Sequence, residues 1–246
     1  MQSFGMNRVA DRFGRAASTY ESATPIQRQV AALLAERILA SGLAPGARVA
    51  ELGCGTGYLA RALTPDLQPS LWVATDLAPA MAAAARTCVP LVAVMDASRP
   101  ALKPGFELAC SSLTLQWLAD PAAAVTAWRG LVRPGGRLAV ATLIEGSFAE
   151  WREAVTETGA TSAGPAFPSF EEARAWFGPE AAVETLTLSE RHPSALAFLH
   201  ALRASGTDAA DSGALKAGIM RRAMAAFEAR GCAVTYRVLL AVEAVG

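Results

Sequence analysis

The run Ala50-Glu51-Leu52-Gly53-Cys54-Gly55-Thr56-Gly57 sets three glycines within five residues, directly after an apolar segment. Glycine has no side chain and adopts backbone dihedrals closed to other residues, so such a loop lets the main chain approach a ligand closely. A strand, a glycine turn and then a helix form the opening of a βαβ unit. The dinucleotide fingerprint GxGxxG needs a third glycine at position 58, where Tyr58 stands. A Walker loop needs a Lys-Ser/Thr pair, and none follows. What remains is an acid (Glu51), GxGxG, and a second acid, Asp76, closing the next apolar run.

The rest of the chain repeats the alternation. Apolar runs at 48–52, 71–75, 91–95, 106–111 and 137–143 are separated by helix-length segments, which predicts a parallel sheet. "RPGGR" (Arg133 to Arg137) reads as a helix stop and turn before the fifth strand. Two helices are expected between about Met6 and Ser41, with Pro45-Gly46 ending them. Helical stretches follow at 148–157 and 170–177, then a strand at 183–189, a helical segment of about 35 residues from near Pro193, and a last strand at 234–242. These give N-terminal helices at 1–45, a core at 46–190, a helical cap at 191–231, and the core's last strand at 232–246.

Composition narrows the classes. There are 22 basic and 22 acidic residues, so the chain lacks the overall positive field of nucleic-acid binders, and no such partner is expected. No apolar run reaches the roughly 18 residues of a membrane span. Cys54, Cys88, Cys110 and Cys232 are dispersed without CxxC, which predicts reduced thiols and neither a disulfide framework nor a zinc site. The first twenty residues carry three arginines and no apolar signal core, so the expected location is cytoplasmic.

Five landmarks in order, Glu51–Gly57, Asp76, Asp96, the strand at 106–111 and "LVRPGGRLAVAT", resemble the class I S-adenosylmethionine-dependent methyltransferases. The resemblance implies an α/β, doubly wound, mostly parallel seven-stranded sheet, with N-terminal helices and a helical appendage covering the site. It also implies S-adenosylmethionine as cofactor. Glu51 then lies near the methionine end and Gly53, Gly55 and Gly57 admit the amino-acid moiety and ribose. Asp76 accepts the two ribose hydroxyls, with Leu77 beside it. Asp96 and Ala97 meet the adenine, and Ser112 ends the fourth strand. Taken singly, a glycine turn is often only a turn, and an acid after a strand is often only a helix cap.

Outer segments, "FGRAASTYE", "SLTLQW", "FPSFEEAR" and "HPSALAFLHALRASG", are similar to the malonyl-[acyl-carrier protein] O-methyltransferases of biotin synthesis. Three features depart from that family's pattern: Glu107 replaces an Asp, the loop Ala97 to Gly105 is short, and "ASGTDA" lacks a Lys. The implied reaction methylates the free carboxyl of a malonyl thioester, with malonyl-acyl-carrier protein as partner. A carboxylate, with an ordinary pKa of about 4, needs no general base at pH 7. Candidates to hold that anion are Tyr20, Gln116, Trp117, His192, Arg203 and Tyr236, of which Tyr20 and Trp117 rank first. Each has a plainer role open to it: packing for Tyr20, Trp117 and Tyr236, helix capping for His192, a solvated face for Arg203. Residues 1–45 with 190–246 hold 12 basic and 8 acidic side chains, against 10 and 14 in 46–189, an asymmetry that suits an acidic carrier. Two other readings stay open: methylation of another small acid or quinone precursor, and a non-catalytic binding protein.

Overall fold

The computed structural model describes residues 3–160, 165–207 and 215–246. Seven strands, β1 (Arg48–Leu52), β2 (Leu71–Asp76), β3 (Leu91–Val94), β4 (Phe106–Ser112), β5 (Val132–Leu143), β6 (Ala182–Arg191) and β7 (Ala233–Ala244), form one sheet in the order β3-β2-β1-β4-β5-β7-β6. The first five are parallel, and β7 runs antiparallel to both β5 and β6. This is the doubly wound, mostly parallel fold that the sequence predicts. The winding reverses between β1 and β4, and in such sheets ligands settle outside the carboxyl ends of the strands at that point. The glycine loop leaves β1 there, and Ser112 ends β4 beside it.

Both faces of the sheet are covered, which is why its strands read as continuous apolar runs. Val49, Leu108, Cys110 and Ala139 pack against Leu34 and Ile38 of α3 (Pro25–Ala40) and Leu63 of α4 (Tyr58–Leu67). Ala50, Ala109, Leu138 and Val140 face the other way, onto Val125 and Trp128 of α6 (Pro121–Arg129). Trp128 is fully buried and donates its indole N–H to the Ala97 carbonyl at 2.7 Å, anchoring the loop after β3.

Four local expectations change. The opening segment holds three helices, α1 (Ser3–Ala16), α2 (Tyr20–Ala23) and α3. The break before α3 is made by Pro25 at its first position and by Thr24, whose hydroxyl donates back to the Tyr20 carbonyl at 2.6 Å. "RPGG" belongs to β5: Gly135 N–H donates to the Val245 carbonyl at 2.8 Å and Val245 N–H to the Gly136 carbonyl at 3.0 Å, so the last strand stitches it into the sheet. Gly136 is required there, since a Cβ would fall 2.7 Å from the Glu107 carbonyl. The helix expected over 170–177 is a short α8 (Phe170–Arg174), capped by Ser169 and Glu172. The long helical segment before β7 resolves into α9 (Ala195–Ala204) and α10 (Ala217–Ala229). The remaining helices are α5 (Pro79–Ala85) and α7 (Ala149–Thr156), with one tight turn at Leu115–Trp117.

The insertion between β6 and β7 reaches back to the N-terminal helices. At Gly206 (φ +71°) an added Cβ would fall 3.0 Å from Phe13 Cα and 3.1 Å from the Arg12 carbonyl, and the Thr19 hydroxyl donates to the Ala204 carbonyl at 2.9 Å. Among the described residues, no helix is long and apolar enough to cross a membrane.

Candidate functional site

Two cavities open at the switch point. The larger, about 650 Å³ including its mouth, is lined by Gly53, Gly55, Asp76, Leu77, Ala97 and Ser112, by Val9 and Phe13 of α1 and Tyr20 of α2, which together roof it, and by Trp117 from the fourth-strand exit. The smaller, about 350 Å³, shares Tyr20, Gly53, Gly55, Ser112 and Leu113 and reaches inward to Glu51, Thr56 and Tyr58.

The glycine loop is held in shape by its neighbours. Asp76 accepts from Gly55 N–H through Oδ2 and from Ala78 N–H through Oδ1, both at 2.8 Å, so one carboxylate ties the loop after β1 to the turn after β2. Burial pushes the Asp76 carboxyl above its usual range, against the pull of those two N–H groups. Gly53 has φ +72° and lies so close to Thr114 that a Cβ would fall 2.2 Å from its hydroxyl. Gly57 (φ +92°) sits on Cys88, whose Sγ would be 2.4 Å from a Cβ. Gly55 (φ +54°) faces open space instead.

Glu51 is buried, accepts from the Trp72 indole N–H at 3.0 Å, and is pushed up to about 8 by burial; Trp72 and Arg61 pull it down, and Asp76 pushes it further up. A cation placed beside such a carboxyl would favour its ionised form. Thr56 Oγ1, also buried, has no hydrogen-bond partner among the described residues, a situation polar atoms rarely tolerate unless a ligand or water completes it. An acid raised by desolvation, an orphaned hydroxyl, and glycines bare of side chains suit the ammonium, carboxylate and ribose of S-adenosylmethionine.

The remaining sequence-predicted residues scatter. Tyr20 lines both cavities, and burial raises its hydroxyl well above the tyrosine range. Trp117 packs edge-on against Phe13, ring centroids 5.4 Å apart, on the larger cavity. Gln116 has its amide engaged: it donates to the Leu113 carbonyl at 2.7 Å and accepts from Thr142 at 3.2 Å. Asp96 closes a turn by accepting from Ser98 N–H at 2.7 Å, and only its neighbour Ala97 lines the cavity. Gly57 acts from beneath, as the left-handed start of α4.

His192, Tyr236 and Arg203 line neither cavity. His192 is buried against Phe198, its Nε2 lies 3.8 Å from a Glu190 carboxylate oxygen without a hydrogen bond among the described residues, and burial lowers its pKa. It does not cap α9: Ser194 does, accepting from Ala197 N–H at 3.1 Å. Tyr236 reaches Glu190 at 3.5 Å and packs on Phe148, and Arg203 is exposed on α9. Glu107 lies at the far end of β4, where it accepts from Arg48 N–H and pairs with Arg133, each at 2.7 Å, so that departure from the family pattern leaves the cavity untouched. Ala97, which opens the short loop, is fastened by Trp128, and Asp208 and Ala209 of "ASGTDA" fall outside the described residues.

Sequence reasoning missed Leu113. It lines both cavities at φ +55°, a left-handed conformation that costs a branched residue energy and marks functional sites. Nothing in its type or spacing announces this.

Comparison with known proteins agrees with the geometry. A family described as "Methyltransferase domain" matches residues 50–140, from β1 into β5. The chain is 39% identical over 235 residues to the biotin biosynthesis bifunctional protein BioCD of Bordetella avium, covering 93% of this chain and 50% of that protein, so it spans half the bifunctional relative. It is 32% identical over 244 residues to the malonyl-[acyl-carrier protein] O-methyltransferase of Magnetococcus marinus, covering 94% of this chain and 90% of the relative. Solved structures share the fold at low identity: the YcgJ protein of Bacillus subtilis (TM-score 0.59, 15% identity, 87% of this chain and 98% of that one) and a SAM-dependent methyltransferase of Thermotoga maritima (TM-score 0.56, 20% identity, 96% and 99%). Because the match to the Magnetococcus enzyme runs through the roof helices and the β6–β7 insertion as well as the nucleotide-binding core, the chain belongs to the malonyl-[acyl-carrier protein] O-methyltransferase family.

Proposed function

We propose that the protein methylates the free carboxyl of a malonyl thioester carried on acyl-carrier protein, a step of biotin precursor synthesis. The observation that carries this reading is the reach of the kinship: 94% of the chain aligns with a malonyl-[acyl-carrier protein] O-methyltransferase, including the segments outside the cofactor fold. Those segments would choose the acceptor, since one core serves many substrates.

S-adenosylmethionine, when bound, supplies an electrophilic methyl on a cationic sulfur. Asp76 would take the ribose hydroxyls, Glu51 and Thr56 the amino-acid end, and Leu77 and Ala97 the base, with Gly53, Gly55 and Ser112 forming the bed. The acceptor carboxylate is already ionised at neutral pH, so the protein's work is alignment and exclusion of water. Tyr20 and Trp117 serve that purpose, as side chains from the roof and from the end of the fourth strand that share the larger cavity. The acidic carrier would meet the basic outer segments of the chain.

Transfer of labelled methyl from S-adenosylmethionine to malonyl-carrier protein, beside malonyl-coenzyme A, free malonate and acetyl-carrier protein, tests the proposal. The malonyl thioester is expected to accept label and the acetyl one to stay blank. Label on acetyl-carrier protein, or an inert malonyl thioester beside a reactive unrelated acid, would overturn it.

A further inference from the structure

Tyr20 sits on α2, a single turn, yet it reaches both cavities. That turn is fastened to the first turn of α4, the helix growing out of the glycine loop. Arg61 Nη2 donates to Glu21 Oε1 at 2.6 Å, while Nη1 of the same guanidinium donates to the Thr56 carbonyl at 2.8 Å. The guanidinium also lies 5.2 Å from the Tyr58 ring centroid. Tyr58 meets the Thr24 hydroxyl at 2.9 Å and its own hydroxyl is 3.4 Å from the Glu21 carbonyl. The Tyr20 and Tyr58 rings are 5.9 Å apart. Tyr58 and Arg61, three residues apart on one helix face, thus hold the roof turn by a carboxylate, a carbonyl and a hydroxyl, and hold the glycine loop by the Thr56 carbonyl.

We infer that Arg61 and Glu21 form a latch that couples closure of the Tyr20 turn to occupation of the glycine loop. They are positioning residues, since neither lines either of the two cavities described above. The side chains are 38% and 53% exposed, so water reaches the pair and it parts cheaply, shifting an equilibrium by about fivefold or less. A weak, solvent-reached contact suits a roof that must open at every turnover. Arg61 makes the two ends interdependent. A ligand that orders the loop fixes the Thr56 carbonyl, which sets the guanidinium for Glu21; by linkage, closing the roof then tightens the ligand by the same factor. The inference rests on the reading of these cavities as the cofactor site, and not on the identity of the methyl acceptor.

Calorimetric titration with S-adenosylhomocysteine, which binds without reacting, isolates the coupling. Glu21→Gln and Arg61→Met are each expected to weaken binding by about fivefold, and the double variant to be no weaker than the worse single one. Arg61→Lys, which keeps the charge facing Glu21, is expected to recover part of the loss. The wild-type dissociation constant should rise with salt and that of Glu21→Gln should not, a signature that loss of packing would not give. With catalysis, KM for the cofactor should rise more than kcat falls. Trypsin cleavage after Arg15, in the last turn of α1, should be slowed by ligand in the wild type and hardly at all in Glu21→Gln. Wild-type binding with unchanged affinity in Glu21→Gln removes the latch alone, as do single losses that multiply in the double variant. No binding by the folded wild type removes the cofactor reading together with the latch.

Discussion

Trp72 donates its indole N–H to Glu51 Oε2 across 3.0 Å, and both side chains are buried beside the glycine loop. With burial raising the carboxyl to about 8, the protonated form of Glu51 predominates at pH 7. A cationic ligand favours the ionised form, so binding S-adenosylmethionine should release a proton. Affinity is expected to rise between pH 6 and 8 by up to about tenfold per unit and to level off above 8. Calorimetry in buffers of different ionisation enthalpy would count that proton, and Glu51→Gln should abolish the slope.

The same carboxyl links stability to pH. Folded Glu51 keeps a proton that the unfolded chain has lost above its ordinary value of 4.5, so the folded state binds more protons between there and about 8. Its contribution is fully present below 4.5 and declines as pH rises through that window. The raised Asp76 adds to the decline at the acidic end. Thermal unfolding of the ligand-free protein should therefore fall from pH 5 to 8, and Glu51→Gln should flatten the fall while weakening the cofactor.

Asp76 ties the glycine loop to the turn after β2, and the proposed ribose contact would give it a second task. Asp76→Ala is expected to weaken S-adenosylmethionine by roughly 1.5–3 kcal/mol, the scale of hydrogen bonds to a charged group, and to free the Gly55 and Ala78 N–H groups. Unchanged affinity by calorimetry would remove Asp76 from the cofactor's partners.

Gly57 is required twice over, by its φ of +92° and by Cys88 beneath it. Gly57→Ala should destabilise the fold by about 1–3 kcal/mol. Adding Cys88→Ala removes the clash but not the dihedral strain, so denaturant unfolding of the pair should recover only part of the loss.

An acceptor that arrives ionised leaves no proton to remove. With cofactor saturating, kcat should stay within about threefold from pH 6 to 9, in contrast to enzymes that deprotonate a hydroxyl or carbon acid. A steady tenfold loss per unit toward acid, with chemistry rate-limiting, would count against carboxyl methylation. Carrier docking has its own signature: Arg221 and Arg222 are exposed on α10, and reversing their charge should raise KM for malonyl-carrier protein with little change in kcat, as added salt should.

The parallel sheet was legible because strands buried on both faces leave unbroken apolar runs, and because GxGxG can end only so many of them. Asp76, Gly53 and Gly55 followed from the same pattern. Tyr20 was legible through family likeness alone: its spacing with Val9 and Phe13 suggests a packed helix face, and the separation of α2 from α1 is a matter of local backbone that periodicity does not carry. His192 shows the converse, a residue attractive by type that tertiary packing places against Phe198, away from both cavities. Leu113 was invisible because a positive φ in a leucine is set by its surroundings and not by residue type; its N–H is held by the Ala141 carbonyl and its own carbonyl by Gln116.

The contact at Gly206 reaches across the chain. Two segments about 190 residues apart in sequence close to backbone distance over Phe13, with no side chain between them to absorb a change. A change in the path of either backbone is therefore expected to disturb the other. A chimaera that takes its β6–β7 insertion from a relative should fold as stably as the parent only when α1 comes with it, which thermal unfolding of the two chimaeras would check.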